Sequence, residues 1–403
     1  MSQTLTDIAQ QLSTPKTVKK TVAEKTKEVE ETKPVPKVQL IYAFNGSGKT
    51  RLSREFKELI SPKSDRNDEE ETSTKFIYYN AFTEDLFYWD NDLDGDVERK
   101  LVIRPNAYTK WILEEQGEDQ NVITNFQRYA NDKLTPHFNA EYTLKGENDK
   151  EIKVKAFSEV TFSLESGDES SGNIKISKGE ESIFIWSIFY TLLDQVINVL
   201  NVANPDERET NRFNQLEYVF IDDPVSSLDE NHLIELAVNL AELIKSSQSS
   251  LKFVITTHNP LFYNVLYNEL NNKTCYMLEH LEDGTFALVD KHGDSNKSLS
   301  YHLYLKQIIE QAIAENKVQR YHFTLLRNLY EKTASFLGYP KWSELLPDDK
   351  QAYYNRITQF TSHSTLSNEA VAQPSGPEKN TVGLLLNHLV KNYGYWQQEE
   401  QNG

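Results

Sequence analysis

Cysteine and methionine are scarce in this chain of 403 residues, which has one cysteine, Cys275, and two methionines. A single cysteine cannot form an intrachain disulfide framework, which excludes the class of small secreted domains held together by disulfides. The N-terminus also lacks the apolar core of a secretory signal. We therefore expect a protein of the reducing cytoplasm, with Cys275 as an inert buried thiol in a strand.

Long apolar runs are missing as well. The longest nearly apolar segment, residues 182–193 with the sequence SIFIWSIFYTLL, is too short to span a bilayer. Its length and composition are typical of a buried helix. We therefore expect a soluble protein that has no membrane partner.

The chain has no surplus of positive charge, since it carries 43 Lys and Arg against 61 Asp and Glu, a net charge of −18. This balance argues against a protein that coats nucleic acid through a basic surface. The charge is uneven, because residues 291–403 hold 12 basic and 11 acidic residues and the remainder carries −19. A nearly neutral C-terminal part can approach RNA at a local patch, but ordinary solvated surfaces are the simpler explanation of the charge alone.

The most informative stretch is residues 38–50, VQLIYAFNGSGKT. An apolar run typical of a buried strand leads through a small loop into an amphipathic helix. This layout predicts a phosphate-binding loop, in which backbone N–H groups and the helix N-terminus hold the phosphates of a nucleotide. Lys49 is expected to reach the β/γ-phosphates and Thr50 to hold Mg²⁺. The candidate nucleotide-binding residues of the loop are Asn45, Gly46, Ser47, Gly48, Lys49 and Thr50.

One residue departs from the usual loop pattern, because Ala43 stands where the first glycine is expected. Alanine keeps the loop small but restricts φ, so the loop should close if residue 43 needs only a negative φ. The alternative is a strand, turn and helix that bind no ligand.

A second anion site is predicted at ISKGE, residues 176–180, which opens the apolar helix. A serine and a glycine at a helix N-terminus can hold an anion, and in one known arrangement such a site closes on a nucleotide held by another subunit. The candidate residues are Ser177, Gly179 and Glu180.

Two apolar strands are predicted to end in polar groups. In EYVFIDDPVSSLD, residues 217–229, Asp222 is placed to hold Mg²⁺ through water, and Asp223 to orient the water that attacks the γ-phosphate. In FVITTHN, residues 253–259, His258 is placed to sense the γ-phosphate. Taken singly, each motif is equally compatible with a polar strand end or a capped helix. All of them in this order favour a nucleotide site.

This set of motifs resembles the ABC-type ATPase heads shared by transporters, RecF, Rad50 and SMC proteins. The resemblance assigns the Walker A motif to residues 45–50, the signature to 177–180 with Lys178 in place of the usual second glycine, and the Walker B motif to 218–223. It also assigns the D-loop, with Asp229, to 226–229, and makes His258 the switch histidine. In that group two heads enclose two nucleotides, which implies a homodimer or higher oligomer. Asp223 replaces the usual glutamate, so hydrolysis is expected to be slow or regulated.

The pattern along the chain predicts three parts. Residues 1–33 are polar and predict a mobile arm or a partner-binding helix. Residues 34–290 are expected to form the ABC-type α/β domain, with a short insertion at about 90–165 in which alternating residues 152–154 and 160–164 predict a strand pair. Residues 291–403 are expected to be mainly helical. The predicted helices span residues 301–314, 318–337, 348–361 and 381–393.

The helical part carries Arg327 and Glu331 four residues apart on one helix face, and His363 follows the third predicted helix. Alone, these residues are an ordinary ion pair and a loop histidine. Together with the ATPase motifs and the segment YYNAFTEDLFYWDND, they resemble the PrrC family of bacterial tRNA anticodon nucleases over nearly the whole chain. The resemblance implies that Arg327, Glu331 and His363 form a metal-independent ribonuclease centre. It also implies that Asp294, in KHGDSNKS, takes part in recognising the anticodon of lysine tRNA.

The same resemblance implies further partners: Mg²⁺ with ATP or GTP at the ATPase sites, a type I DNA restriction–modification complex that silences the nuclease, and a phage-derived activator that releases it. Two other functions stay open from the residues alone. One is a RecF-like ATPase of DNA maintenance without nuclease activity. The other is a regulatory switch protein with neither nuclease nor strong NTPase activity.

Overall fold

The computed structural model describes most of the chain, in two compact units that comprise residues 1–292 and 293–403. The residues it describes are 2–21, 28–62, 74–80, 83, 85–90, 99–145, 151–166, 169–171, 173–224, 230–271, 274–281, 283–291, 301–361 and 374–395.

Unit 1, residues 1–292, combines α-helices with β-strands. Its helices are α1 (Leu5–Ser13), α2 (Lys49–Ile60), α3 (Asp119–Tyr129), α4 (Lys178–Asn201), α5 (Glu230–Ser246) and α6 (Pro260–Leu270). Its strands are β1 (Lys16–Thr21), β2 (Glu28–Lys33), β3 (Val38–Tyr42), β4 (Phe76–Tyr79), β5 (Phe87–Asp90), β6 (Lys100–Ile103), β7 (Leu134–Phe138), β8 (Tyr142–Lys145), β9 (Glu151–Val154), β10 (Glu159–Ser166), β11 (Glu169–Ser171), β12 (Tyr218–Asp222), β13 (Lys252–Thr257), β14 (Cys275–His280) and β15 (Phe286–Asp290). A short helical segment, Ala107–Thr109, continues as a π-helix over Lys110–Glu115, and Pro205–Glu207 is a 3₁₀ helix.

The main sheet has six strands in the order β15-β14-β3-β13-β12-β4, parallel except for β15, which runs antiparallel to β14. Strands β3, β12 and β13 are apolar and buried almost throughout, as expected for parallel strands covered on both faces. The register pairs Asp222 with Thr256 and Tyr42 with Thr257, so the carboxyl ends of these three strands meet at one edge. The predicted phosphate loop, carboxylates and switch histidine all follow strands at this edge.

Helices cover both faces of the main sheet, and β4 shows how. Phe76 packs near Phe56 of α2, with ring centroids 6.0 Å apart, whereas Tyr79 packs on Trp186 of α4 at 5.2 Å. Successive side chains of a strand point to opposite faces of the sheet. Phe76 and Tyr79 are separated by an odd number of positions, so α2 and α4 lie on opposite faces of the main sheet.

Helix α4 contains the apolar run expected to be a buried helix, and that prediction is confirmed. The helix has 24 residues, which is longer than the apolar run itself, and it is the one helix among the described residues long and apolar enough to cross a membrane. However, 78% of its most apolar window is buried inside the protein, which is the burial of a core helix.

Part of the insertion forms an antiparallel sheet of strands β11, β10, β6 and β5 in that order, with β7 also paired to β10. The predicted pairing of residues 152–154 with 160–164 is wrong, because β9 pairs with β8 and β10 pairs with β7. The reason is burial. Phe162 of β10 packs against Phe184 of α4 at 5.3 Å, whereas Ile152 of β9 is 54% exposed.

The N-terminal residues differ from the predicted mobile arm. Helix α1 begins with a capping box between Thr4 and Asp7 and contacts α2. Its apolar side, with Leu5 and Ile8 among others, is buried in the same core cluster as Phe56 and Phe286. The polar composition of residues 1–33 hides this short amphipathic stretch, because its four buried positions are few among many charged ones.

Unit 2, residues 293–403, is helical over its described residues. The predicted helices are confirmed with shifts of one or two residues at their ends, except that the last begins at Gly376 and not at Thr381. The helices are α7 (Tyr301–Ala314), α8 (Arg320–Leu337), α9 (Lys350–Thr361) and α10 (Gly376–Asn392), with a 3₁₀ helix at Trp342–Leu345. Their apolar sides share one core, in which the Tyr330 hydroxyl donates to the carbonyl of Leu385 at 2.9 Å. Helix α8 ends at Leu337, and its C-cap is Gly338, whose left-handed φ of +78° suits glycine.

We predict that the two glycines of the phosphate loop differ in their tolerance of alanine. Both have left-handed φ, +81° at Gly46 and +94° at Gly48, which costs an alanine about 1–2 kcal/mol. A Cβ at Gly46 meets nothing within 4 Å, but a Cβ at Gly48 lies 2.9 Å from the Phe286 ring. Urea unfolding should therefore show a larger loss for Gly48→Ala than for Gly46→Ala. Equal losses would mean that Phe286 does not constrain the loop.

Unit 1 also buries a charged group close to its end. Lys291 is 7% exposed, and its Nζ has no hydrogen-bond partner among the residues that the structure describes and lies 4.8 Å from the centroid of the Tyr263 ring. Its backbone N–H donates to the carbonyl of Cys275 at 2.8 Å, which holds residue 291 against β14. Burial lowers the pKa of Lys291 to about 8, because the ammonium form loses its hydration.

We predict that Lys291→Met raises the melting temperature at pH 7. The lysine pKa is lower in the folded chain than its unfolded value of about 10.4, so the charged form destabilises the fold below about pH 8. The penalty disappears as the pH rises from about 8 to about 10. The difference in melting temperature between the variant and the parent should therefore shrink from about pH 8 to about pH 10, as measured by thermal unfolding at a series of pH values. A difference that is independent of pH would contradict this account.

Candidate functional site

The phosphate loop connects β3 to α2 at the carboxyl edge of the main sheet. The N–H of Ala43 donates to the carbonyl of Thr257 at 3.0 Å, which joins the start of the loop to β13. Ala43 is not among the described residues with positive φ, so alanine is acceptable there. Gly48 is the N-cap of α2, and its left-handed backbone turns the chain into the helix. The helix N-terminus thus lies at the loop, as phosphate binding requires.

Lys49 extends over this loop. Its side chain is 7% exposed, and Nζ donates to the carbonyls of Ala43 and Phe44 at 3.2 Å and to Oδ1 of Asn45 at 3.4 Å. The same ammonium lies 3.3 Å from Oδ2 of Asp223. The cation expected to contact the phosphates therefore reaches across to the Walker B carboxylate.

Thr50 and Asp222 come together as the predicted Mg²⁺ ligands. The Thr50 hydroxyl donates to Oδ2 of Asp222 at 2.6 Å, and the Thr256 hydroxyl donates to Oδ1 at 2.5 Å. Burial raises the pKa of Asp222 and outweighs the two hydrogen bonds, which favour the ionised form. A hydroxyl and a carboxylate are the hard oxygen donors that Mg²⁺ prefers, so these residues fit the ion.

Asp223 lies between the predicted sensor and the loop lysine. Its Oδ2 is 2.5 Å from Nδ1 of His258, and its Oδ1 accepts from the His258 N–H and the Thr257 hydroxyl, each at 3.1 Å. Burial acts to raise the pKa of Asp223, but the His258 hydrogen bonds and the Lys49 ammonium outweigh it, so the pKa is below its ordinary value. Asp223 is thus a charged bridge between His258 and Lys49.

The signature residues begin helix α4. Ser177 is the N-cap: its hydroxyl accepts from the N–H of Glu180 at 3.2 Å, and its own N–H donates to the Glu180 carboxylate at 2.7 Å. Gly179 lies in the first turn of this helix, and Lys178 pairs with Glu181 at 2.8 Å. The motif therefore forms a capped helix N-terminus, the local structure that an anion site needs.

In unit 2, helix α8 brings Arg327 and Glu331 together. Nε of Arg327 donates to Oε1 of Glu331 at 2.8 Å, and the two side chains are 36% and 39% exposed. The Arg327 guanidinium also lies over Trp342, with Cζ 5.9 Å from the ring centroid. A half-exposed arginine held by a carboxylate and a ring has a restrained orientation and can still reach a phosphate.

Three predicted site residues lie outside the described residues. They are Asp229 of the D-loop, Asp294 of the tRNA-recognition segment and His363 of the nuclease centre. Their roles stay predictions.

Two comparisons with known proteins bear on the identity of the chain. A family model described as an AAA domain matches residues 106–366. A curated anticodon nuclease of Escherichia coli is 68% identical over 414 residues, and the match covers 100% of both chains. The chain belongs to the anticodon nuclease family. Its membership makes it an endoribonuclease with an NTPase domain, and its fold is α/β, an ABC-type P-loop ATPase domain followed by a mainly helical domain.

Two solved structures of SMC heads also match this anticodon nuclease homologue. The SMC head bound to the C-winged helix domain of ScpA is 13% identical, covers 66% of this chain and 94% of its own, and has a TM-score of 0.32. The SMC head domain from Thermotoga maritima is 13% identical, covers 64% and 91%, and has a TM-score of 0.28.

Sequence reasoning missed several side chains that complete these sites. Thr256 and Thr257 are ordinary strand residues by composition, yet both donate to the Walker B carboxylates. The two threonines directly precede His258 at the end of a strand that was predicted to reach the site, and this position alone could have indicated their contact with the carboxylates. Trp342 carries no comparable signal, because its contact with Arg327 depends on the turn after α8.

Proposed function

We propose that this anticodon nuclease homologue is a nucleotide-gated endoribonuclease that cuts lysine tRNA in the anticodon loop, as a cytoplasmic effector of phage defence. The observation that carries the proposal is the full-length relative named anticodon nuclease, at 68% identity. The Arg327–Glu331 pair supports it. The PrrC resemblance makes both side chains catalytic, Nε of Arg327 is 2.8 Å from Oε1 of Glu331, and more than a third of each side chain is exposed.

The proposed cleavage is a transesterification that uses the nucleophile of RNA itself. A base takes the proton from a ribose 2′-OH, and the 2′-oxygen attacks the adjacent phosphorus. The bond from phosphorus to the 5′-oxygen breaks as an acid protonates that oxygen, which leaves a 2′,3′-cyclic phosphate and a 5′-hydroxyl. Arg327 stabilises the charge of the phosphorane with its guanidinium, and Glu331 and His363 share the roles of acid and base.

The proposed gate is the nucleotide site of unit 1. Thr50 and Asp222, the latter through water, would hold Mg²⁺ there, and the ion would accompany the phosphates of ATP or GTP. A γ-phosphate competes with Asp223 for the Lys49 ammonium, which is 3.3 Å from that carboxylate. We infer that nucleotide binding separates Asp223 from Lys49. Because Asp223 also holds His258, this separation changes the contacts of His258.

The proposed partners follow from the same family. Two copies complete each other's nucleotide sites through Ser177, Gly179 and Glu180, a type I restriction–modification complex silences the nuclease, and a phage-derived activator releases it. Asp294 and Asp229 keep their predicted roles in tRNA recognition and in the D-loop. Family membership favours this function over a RecF-like ATPase without nuclease activity.

We predict that Arg327→Ala, Glu331→Ala and His363→Ala each lower tRNA cleavage by roughly a hundredfold or more, because each removes a group that acts on the reacting phosphate. Purified protein incubated with bulk tRNA, with Mg²⁺ and ATP or GTP present so that the proposed gate is open, should yield half-length fragments, which the variants lack. NTP hydrolysis should be retained in all three.

The matched control is Glu310→Ala. Glu310 forms an i,i+4 ion pair with Lys306 on α7 at 2.7 Å, so this variant removes a similar surface pair, which stabilises the fold by only about 0.3–0.5 kcal/mol. It should cleave like the parent. Full cleavage by folded Glu331→Ala would reduce Arg327–Glu331 to an ordinary ion pair, and full cleavage by His363→Ala would remove that residue from the centre.

We also predict that nucleotide drives association of the chains. Lys49→Ala should weaken nucleotide binding, because it removes the cation of the loop, and Asp223→Asn should trap a nucleotide-bound, closed oligomer. Sedimentation velocity of parent and variants with and without nucleotide measures both effects. The same oligomer in every condition would reject gating while leaving the nuclease proposal intact.

A further inference from the structure

Two aromatic rings stack beside the Arg327–Glu331 pair of unit 2. Trp342, the first residue of the 3₁₀ helix, and Tyr354 of α9 have ring centroids 5.3 Å apart and planes inclined by 22°. Trp342 also lies under the Arg327 guanidinium, 5.9 Å from its Cζ. Glu331, Arg327, Trp342 and Tyr354 therefore form one continuous row of side chains.

The two rings differ in how they are held. Trp342 is partly buried against the helical core and meets the edge of Tyr330, whose ring is fully buried, at 6.3 Å and 71°. Tyr354 is 38% exposed and is not part of that core cluster. The inner ring is thus anchored, and it supports an outer ring that solvent reaches.

We propose that the Trp342–Tyr354 pair is a stacking subsite for an unpaired nucleobase of the RNA, next to the phosphate that Arg327 contacts. The inference rests on the proposed nuclease centre and deepens it by naming what holds the substrate there. Proteins bind single-stranded RNA by stacking splayed bases on aromatic rings, whereas a duplex keeps its bases stacked inside. The subsite therefore selects loops, which offer unpaired bases, over helical stems.

Charge does not supply this binding, which is why stacking matters. The chain carries −18, and residues 341–356, which include both rings, have no net charge, because Lys341, Lys350 and Arg356 are balanced by Glu344, Asp348 and Asp349. Attraction of phosphates to a basic surface is thus weak here. Stacking of one base on an aromatic ring contributes roughly five- to hundredfold in affinity and requires no net charge.

The decisive variant is Tyr354→Leu, which removes the outer ring but keeps an apolar side chain of similar bulk. We expect KM for an anticodon stem-loop RNA to rise tenfold or more with little change in kcat, because Arg327 and Glu331 are untouched. Tyr354→Phe keeps the ring and should restore the parent KM. A merely structural role would instead lower thermal stability and leave KM unchanged.

The control is Phe336→Leu. Phe336 is 86% exposed on α8, and it follows Arg327 by nine residues, which places it on the opposite side of that helix. This variant also loses an exposed ring of unit 2 and should keep the parent KM. A comparable rise in KM with Phe336→Leu would overturn the subsite, because any lost surface ring would then have the same effect.

A second measurement separates binding from cleavage. In the cleavage-deficient Glu331→Ala chain, adding Tyr354→Leu should weaken the binding of a short single-stranded RNA and leave binding of an RNA duplex unchanged. Cleavage of tRNA by the parent together with an unchanged KM in Tyr354→Leu would overturn the subsite alone. Absence of tRNA cleavage by the parent would overturn the proposed function and the subsite with it.

Discussion

The parallel register of β3, β13 and β12 is the constraint on which the nucleotide site depends. It pairs Thr256 with Asp222 and Thr257 with Tyr42, so the last residues of three strands far apart in sequence lie side by side. The middle strand, β13, supplies hydroxyl donors to Asp222 at the end of β12 and to Asp223, which follows it, and a carbonyl acceptor to the loop after β3. If β13 slipped by one residue against its neighbours, each hydroxyl donor would point to the opposite face of the sheet and lose its carboxylate.

Asp223 is held in a conformation that few aspartates adopt. Its φ is +50°, in the left-handed region, where a residue other than glycine is strained. Contacts with Thr257, His258 and Lys49 hold the carboxylate from several directions at once. Strain of this kind persists where surrounding contacts over-determine a residue, and such residues are frequent at switch regions. The strained backbone thus lies at the residue that joins Lys49 to His258, the predicted sensor.

The sequence predicted the parts of unit 1 that end at the site and the four α-helices that the structure describes in unit 2. Apolar runs bounded by glycines, carboxylates or a histidine define these elements locally, so no knowledge of distant contacts was needed. The predicted pairing of β9 with β10 was wrong, because alternation along a strand does not indicate which strand it pairs with. Here the burial of Phe162 against Phe184 places β10 beside β7. The bridge from Lys49 to Asp223 joins residues 174 positions apart, and the Arg327–Trp342 contact depends on a turn, so neither has a local signature.

Packing behind the phosphate loop comes from both ends of unit 1. Phe286 of β15 and Leu5 of α1 lie next to Gly48, and Gln3 pairs with Phe286 by backbone hydrogen bonds in both directions. A ribosome makes β3 and the loop more than two hundred residues before it makes β15. During synthesis the loop therefore lacks the Phe286 contact until β15 has been made, although helix α1 can already pack against α2. The packing around the nucleotide site is thus completed late in translation, when synthesis reaches the helical unit that contains Arg327 and Glu331.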